Sequence, residues 1–208
     1  MTSRFLLLVL ASFLSACVNL GDRPNAPAVE YYVLSDPAPV GVPQDTDPLP
    51  AQARGEPPLT LVVPDTTSAG FYDTDQIVFS RSAGTRGQYQ FARWTERPGK
   101  RFADLMRARL DRQGIWHVSA SGGYVRGDLL LDTELVELYH DATSNPGQVR
   151  LELRAELVDL KQRKLLGRRV FEQQVPLTRF DAAGAAQASS QAVGRVLDDL
   201  STWLATFK

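Results

Sequence analysis

The sequence contains few of the residues that metal sites and nucleophilic catalysis require. Among its 208 residues there is one cysteine, Cys17, and there are two histidines, His117 and His140. Cys17 has no partner for an intramolecular disulfide, and no histidine lies near it in the sequence to lower the pKa of its thiol. The sequence also contains no G-x-G-x-x-G motif, no P-loop and no Cys/His cluster with metal-ligand spacing. It therefore offers no motif for nucleotide binding, zinc binding or thiol chemistry.

The chain also lacks an excess of positive charge. It has 23 Lys and Arg residues against 24 Asp and Glu residues. Where charges are dense the two signs alternate, as in Arg150, Glu152, Arg154 and Glu156. Nucleic-acid binding needs a basic stripe that displaces counterions from phosphates, and an alternating face is instead typical of a solvated surface. We therefore exclude nucleic acid as an expected partner.

Long apolar runs are absent except near the start of the chain. The segment 5–14 is apolar, follows Arg4, and with ten residues is about half the ~20 that a membrane-spanning helix needs. A short apolar segment preceded by a positive charge is typical of a secretory signal. No later segment is long and apolar enough to span a membrane, so we expect the remainder of the chain to be water-soluble.

The signal ends in Leu14-Ser15-Ala16-Cys17, which is similar to a bacterial lipobox. We therefore expect residues 1–16 to be a lipoprotein signal peptide and Cys17 to carry diacylglyceryl and acyl groups after cleavage. The alternative is an ordinary signal peptide with a chance cysteine. Several acyl chains form a durable membrane anchor, whereas one chain binds only marginally. An Asp after the lipidated cysteine tends to retain such proteins in the inner membrane; Val18 therefore implies sorting to the outer membrane.

Proline divides the mature chain into a tether and a domain. Nine of the thirteen prolines lie between residues 18 and 58, and proline interrupts both helices and central strands. We assign 17–58 to a lipidated, Pro-rich tether and 59–208 to the domain. Within the tether, the β-rich stretch 30–34 is predicted to be a first strand of the domain, the alternative being an apolar patch in a linker.

Periodicity in the domain predicts an α/β fold. The expected sheet is mixed, consists mostly of antiparallel hairpins, and is flanked by two main helices. Pro98 and Gly114 bound the first helix, and residues 181–207 form the second. The predicted strands are 59–63, 76–81, 88–93, 115–118, 129–139, 149–157 and 165–175.

Two groups of residues are candidates for function. The stretch Tyr89–Pro98, which includes Arg93 and Trp94, is either a partner-contact surface or a strand-to-helix corner with Trp94 packed on the core. His117, in a predicted strand, and His140, in a predicted turn, are candidate general bases with a carboxylate such as Asp132. Neither histidine has an obvious nucleophile nearby in the sequence.

Ordered motifs along the mature chain indicate a family. The lipobox is followed by Tyr31-Tyr32-Val33-Leu34, Val63-Pro64, the stretch 70–78, and Arg93-Trp94 with Pro98. In this order the motifs resemble the ABC-type transport auxiliary lipoproteins, the PqiC-like family. The main departure is a longer Pro-rich insertion before Leu59.

The resemblance implies a fold similar to anticodon-binding and TolB N-terminal domains, without catalytic residues or cofactors. It also implies an outer-membrane lipoprotein whose domain faces the periplasm. The implied partners are an MCE-domain protein and an ABC permease/ATPase complex in lipid transport. Phospholipid itself and a second copy of the chain are further candidate partners.

We assign candidate partner contacts to Tyr31, Tyr32, Arg93 and Trp94, and the lipid anchor to Cys17. Two other functions compete with this one. The first is a structural envelope-assembly lipoprotein that self-associates. The second is a periplasmic hydrolase that uses His117 or His140.

Overall fold

The computed structural model describes residues 27–38, 58–120 and 126–207. Cys17, the expected signal peptide and much of the Pro-rich tether lie outside the described residues.

Nine strands and two main helices make up the fold. The strands are β1 (Glu30–Tyr32), β2 (Thr60–Val62), β3 (Thr67–Ser68), β4 (Gln76–Ser80), β5 (Gly87–Trp94), β6 (His117–Ser119), β7 (Leu129–Asp141), β8 (Gln148–Asp159) and β9 (Lys164–Pro176). The helices are α1 (Pro98–Arg112) and α2 (Ala182–Leu204), with short 3₁₀ turns at Gly70–Tyr72 and Ala205–Phe207. The predicted mixed α/β fold with two main helices is confirmed.

The longest ladders of the sheet are built on β7. One edge of β7 pairs with β8 in antiparallel register, and β8 pairs in the same way with β9. The other edge of β7 takes β2, β3 and β4 in succession, all parallel to it. β6 extends the sheet beyond β2, while β5 and then β1 extend it beyond β4. The two long ladders, β7–β8 and β8–β9, are antiparallel, and all the parallel pairings are short.

A bulge in β7 changes which side chains face the helices. Leu131, Thr133 and Leu135 are buried, and the register shifts between Leu135 and Glu137. After this shift the buried positions of the core face continue at Leu138 and His140. The prediction that His140 lies in a turn is wrong: it lies within β7, where the bulge directs it inward.

The helices cover one face of the sheet, and their ends follow the sequence signals. Pro98 is at the start of α1, and Gly114, with φ 63°, follows its end. Asp181 caps α2 by accepting a hydrogen bond from the Gly184 amide at 2.7 Å. The buried apolar residues of the two helices form one core with the sheet: Phe102, Met106, Leu110, Val193, Val196, Leu197, Leu200 and Leu204.

Residues before Leu59 belong to the folded unit. β1 lies within the predicted strand 30–34 and pairs in parallel with β5. Leu34 is buried in the core, and its carbonyl accepts a hydrogen bond from Nε of Arg101 at 3.0 Å. The alternative of an apolar patch in a linker is therefore wrong.

An ion pair holds the next residues against both helices. Arg109 of α1 donates to both carboxylate oxygens of Asp36, at 2.5 and 2.8 Å, and also binds Asp198 of α2. The Asp36 side chain is only 6% exposed, whereas that of Asp198 is 68% exposed. Burial alone would raise the pKa of Asp36, but hydrogen bonds from Arg109 and the Ala38 amide and the charges of Arg109 and Arg112 hold it below its ordinary value.

We expect Asp36→Asn to lower the free energy of unfolding by about 3 kcal/mol, because it leaves the Arg109 charge largely buried without its main partner. The matched variant Asp198→Asn removes the exposed partner of the same arginine and should cost less than about 1 kcal/mol. Urea unfolding of both variants measures the difference. Equal destabilisation by the two substitutions would contradict this account.

Candidate partner-binding site

The parallel register of β1 and β5 brings the four predicted partner residues together. Tyr31 lies opposite Arg93, and Tyr32 lies opposite Trp94. Because side chains alternate across a strand, Tyr31 and Arg93 share one face of the sheet and Tyr32 and Trp94 the other. β1 is at the end of the strand order and pairs with β5 alone among the described strands.

Tyr31 and Arg93 form the accessible half of this group. The Tyr31 side chain is 63% exposed and lies at the edge of the sheet. Arg93 binds both carboxylate oxygens of Asp75 at 3.0 and 3.3 Å, while the Asp75 carbonyl accepts a hydrogen bond from the Trp94 amide at 2.6 Å. Asp75 thus fixes the Arg93 guanidinium beside an exposed aromatic ring, an arrangement suited to protein contact.

Trp94 and Tyr32 face the helices. Trp94 is 3% exposed and belongs to the core, so it offers a partner almost no indole surface. Trp94 therefore packs on the core at the corner between β5 and α1, as the second alternative predicted, and is not placed to contact a partner. Tyr32 is half-buried, and its hydroxyl donates to the Glu30 carboxylate. That hydrogen bond, with burial and the Glu30 charge, raises the pKa of Tyr32 to about 12.

A shallow groove extends from β1 and β5 to the start of α2. It consists of two adjoining cavities of about 440 and 490 Å³. Tyr89, Gln90, Asp181 and Ala182 line both of them. The walls are aromatic and apolar with a few charged groups at the rim, which is a common composition for a binding surface.

Two exposed aromatic residues of this groove were not predicted. Phe91 of β5 and Phe180, which precedes the Asp181 cap, line different cavities of the groove. Phe91 lies within the stretch Tyr89–Pro98, in which Arg93 and Trp94, and not Phe91, were predicted to contact a partner. Phe180 carries a weaker signal, an aromatic residue directly before a helix cap, where an apolar side chain usually packs on the first turn.

His140 lies beneath the groove with both ring nitrogens in hydrogen bonds. Its Nε2 is 3.0 Å from the Pro146 carbonyl and must donate, so Nδ1 accepts from the Tyr89 hydroxyl at 2.8 Å. Its ring also lies edge-on to Phe180, with centroids 5.3 Å apart. Burial lowers the pKa of His140, against the opposing effects of the Pro146 hydrogen bond and of Asp141 and Asp181.

The histidines and the aspartate of the hydrolase hypothesis do not lie close to one another. Asp132 is exposed on the face of β7 opposite His140, because the bulge lies between them. His117 lies in β6 as predicted, and β6 joins through β2 to the Leu129 end of β7. At about 3.3 Å per residue, that end is about 35 Å along β7 from His140. The described residues thus contain no His–Asp pair of the kind proposed.

The described residues contain neither a metal-binding group nor a membrane-spanning helix. No group of three or more His, Cys, Asp or Glu side chains suited to a metal ion occurs within residues 27–38, 58–120 and 126–207. In the same ranges, no helix has the length and apolarity needed to cross a membrane.

The sequence matches the family described as "ABC-type transport auxiliary lipoprotein component" over residues 32–201. The chain belongs to this family. The match begins at Tyr32 in β1 and ends three residues before the end of α2, so it covers almost the whole folded unit of this auxiliary lipoprotein. No curated protein matches the sequence significantly.

Crystal structures of two other proteins share the fold of the auxiliary lipoprotein. Protein XCC0632 from Xanthomonas campestris, a member of family DUF330, is 20% identical, with a TM-score of 0.70 over 85% of this chain and 94% of that one. An uncharacterised protein is 13% identical, with a TM-score of 0.64 over 86% of this chain and 99% of that one. These likenesses extend over nearly the full length of both relatives.

The buried His140 predicts how the stability of the auxiliary lipoprotein depends on pH. Because its folded-state pKa lies below the ordinary value of 6.5, the unfolded chain takes up this proton first as the pH falls. The free energy of unfolding should therefore decrease as the pH falls below about 6.5 toward the folded-state pKa. Urea unfolding at pH 7.5, 6 and 5 measures the slope, because these pH values cover the range in which an ordinary histidine titrates.

A His140→Gln variant should lack this slope, even if its stability at pH 7.5 is lower. The control His117→Gln keeps His140 in place and should retain the slope. A slope that persists in His140→Gln would show that another group causes it.

Proposed function

We propose that the chain is an outer-membrane-anchored periplasmic lipoprotein that acts as a non-catalytic auxiliary subunit of an MCE/ABC-type lipid transport system. The observation that carries this proposal is membership of the transport auxiliary lipoprotein family over residues 32–201. The contribution of the chain is to hold a folded domain at the membrane, where this domain binds the MCE-domain protein. The permease and ATPase supply transport energy elsewhere in the complex.

The anchor is the lipidated Cys17. The lipobox-like Leu14-Ser15-Ala16-Cys17 and the preceding apolar segment support it, and Val18 supports sorting to the outer membrane. Thirteen residue steps separate Cys17 from Glu30, the first residue of β1, and they span at most about 45 Å. The domain therefore works close to the membrane that holds its anchor.

The MCE-domain protein docks at the β1 edge and the adjoining groove. Tyr31 and Phe91 are exposed there, and Arg93 is oriented by Asp75. Large aromatic side chains and arginine supply most of the binding energy in protein interfaces. The chain from Cys17 also enters the fold at this edge, so the tether and the docking surface are neighbours.

Fractionation of cell membranes tests the anchor. We expect Cys17→Ser to release the protein from membranes, because the thiol that forms the thioether is absent. The matched variant Val18→Asp keeps the thiol and should move the protein from the outer-membrane to the inner-membrane fraction. Unchanged outer-membrane recovery of Cys17→Ser would refute lipid anchoring at this position.

Co-purification from membranes extracted under mild conditions tests the docking. We expect the auxiliary lipoprotein to recover an MCE-domain protein, and Tyr31→Ala to reduce that recovery about 30-fold, as expected for a central interface tyrosine. Val170→Ala changes an exposed apolar residue on β9, at the far side of the sheet, and should leave recovery unchanged.

The possible failures of this experiment are distinguishable. Full recovery with Tyr31→Ala would exclude the β1 edge and leave the partnership in place. If the unmodified lipoprotein recovers no MCE-domain protein under conditions that preserve such complexes, the proposed function is wrong.

A further inference from the structure

The turn between β8 and β9, together with the first residues of β9, carries a concentrated positive charge. Residues 160–169, which we call the basic turn, contain five exposed basic side chains and no acidic one: Lys161, Arg163, Lys164, Arg168 and Arg169. The whole chain has nearly equal numbers of basic and acidic residues. An excess of this size within ten residues is therefore a local feature of the surface.

Most of this charge is not neutralised by carboxylates. Arg168 pairs with Glu156 at 2.7 Å, while the other four cations form no salt bridge with a described residue. Two further acidic side chains beside the basic turn bind backbone amides and none of these cations: Asp159 accepts from the Gln162 amide at 2.7 Å and Asp128 accepts from the Thr60 amide at 2.8 Å. The exposed Arg126, on the adjacent loop, adds a further cation beside the basic turn.

Leucine side chains lie among these cations. Leu160, Leu165 and Leu166 are each between 36 and 45% exposed. A single exposed leucine is ordinary, but three within seven positions form an apolar surface with a basic rim. Exposed apolar residues combined with Lys and Arg are typical of segments that bind the interface of an anionic membrane.

The basic turn is far from the point where the tether enters the fold. It follows Asp159, which pairs with Leu129 at one end of β7. β1 lies beyond β4 and β5, and β4 pairs with β7 at His140 and Asp141, about 35 Å along the strand. The two features thus lie toward opposite ends of the sheet.

We propose that the basic turn binds the surface of an anionic phospholipid membrane. The unpaired cations at the turn, Lys161, Arg163 and Lys164, contact headgroup phosphates, and the three leucines enter the boundary between headgroups and acyl chains. This contact is separate from the anchor at Cys17 and does not depend on an MCE partner. It gives the domain a second membrane contact on the side away from its tether.

Vesicle sedimentation tests the proposal with a chain that begins at residue 18 and so carries neither signal peptide nor lipid. Among the described residues, every buried hydrophobic residue of the core lies between Leu34 and Leu204, so this chain keeps that core. We expect it to bind vesicles of equal parts phosphatidylglycerol and phosphatidylcholine, and not vesicles of phosphatidylcholine alone. Raising the salt concentration from about 0.05 to 0.5 M should weaken binding strongly, because screening shortens the reach of exposed charges.

Substitutions then locate the contact. The pair Lys161→Gln and Lys164→Gln should lower the vesicle partition coefficient about 30-fold. The pair Lys100→Gln and Arg195→Gln removes the same charge from the exposed surfaces of α1 and α2. These substitutions should lower the vesicle partition coefficient less than about threefold. The pair Leu165→Gln and Leu166→Gln should reduce binding without removing charge.

Three results would overturn the proposal. The first is no binding of the parent chain to anionic vesicles. The second is an equal loss of binding in both charge-matched pairs, which would indicate a response to net charge alone. The third is binding to polyglutamate at least as tight as to vesicles, which would assign the basic turn to an acidic protein instead of a membrane.

Discussion

The pairing of Arg109 with Asp36 is the interaction that joins the start of the fold to the rest of it. Arg109 belongs to α1, Asp36 follows β1, and the second carboxylate on Arg109 comes from Asp198 of α2. Both members of the main pair are largely removed from water, so each is stable there only with the other present. Three segments distant in sequence are thereby held at one point, with Leu34 buried beside them.

The pairing of Arg109 with Asp36 determines where the tether ends and the folded domain begins. The chain that arrives from Cys17 becomes part of the sheet at Glu30 and part of the layer between the helices by Asp36. If Cys17 carries the proposed anchor, a pull on it is transmitted to β1, β5 and both helices. The exposed Tyr31 lies on the same three-residue strand, so the position of the proposed docking surface is set by the segment that follows the proposed anchor.

Local signals in the sequence predicted the elements well. Pro98 and Asp181 indicated the helix starts, and the alternation from Val149 to Leu157 indicated a strand with one buried face. Such features depend on residues within a few positions of one another, and a single sequence contains that information.

The features that required the structure depend on long-range pairing. The bulge near Glu137 places His140 on the core face, and no local pattern signals it. The parallel register of β1 with β5 decides that Tyr31 is exposed while Trp94 is buried, although both are aromatic residues in neighbouring strands. The groove and the basic turn combine side chains whose exposure follows only from the assembled sheet. The lipobox lies outside the described residues and remains a sequence prediction.

Hydrogen exchange on the protein tests most directly whether the segment that follows the proposed anchor is part of the domain. The Thr95 amide donates to the Tyr32 carbonyl at 2.9 Å, and the Ser35 amide donates to the Ser190 hydroxyl at 3.2 Å. We predict that peptides covering residues 30–37 exchange as slowly as those covering β5, because both open only with the sheet and the helix layer. Exchange of residues 30–37 at the rate of unprotected chain, while β5 stays protected, would contradict the account.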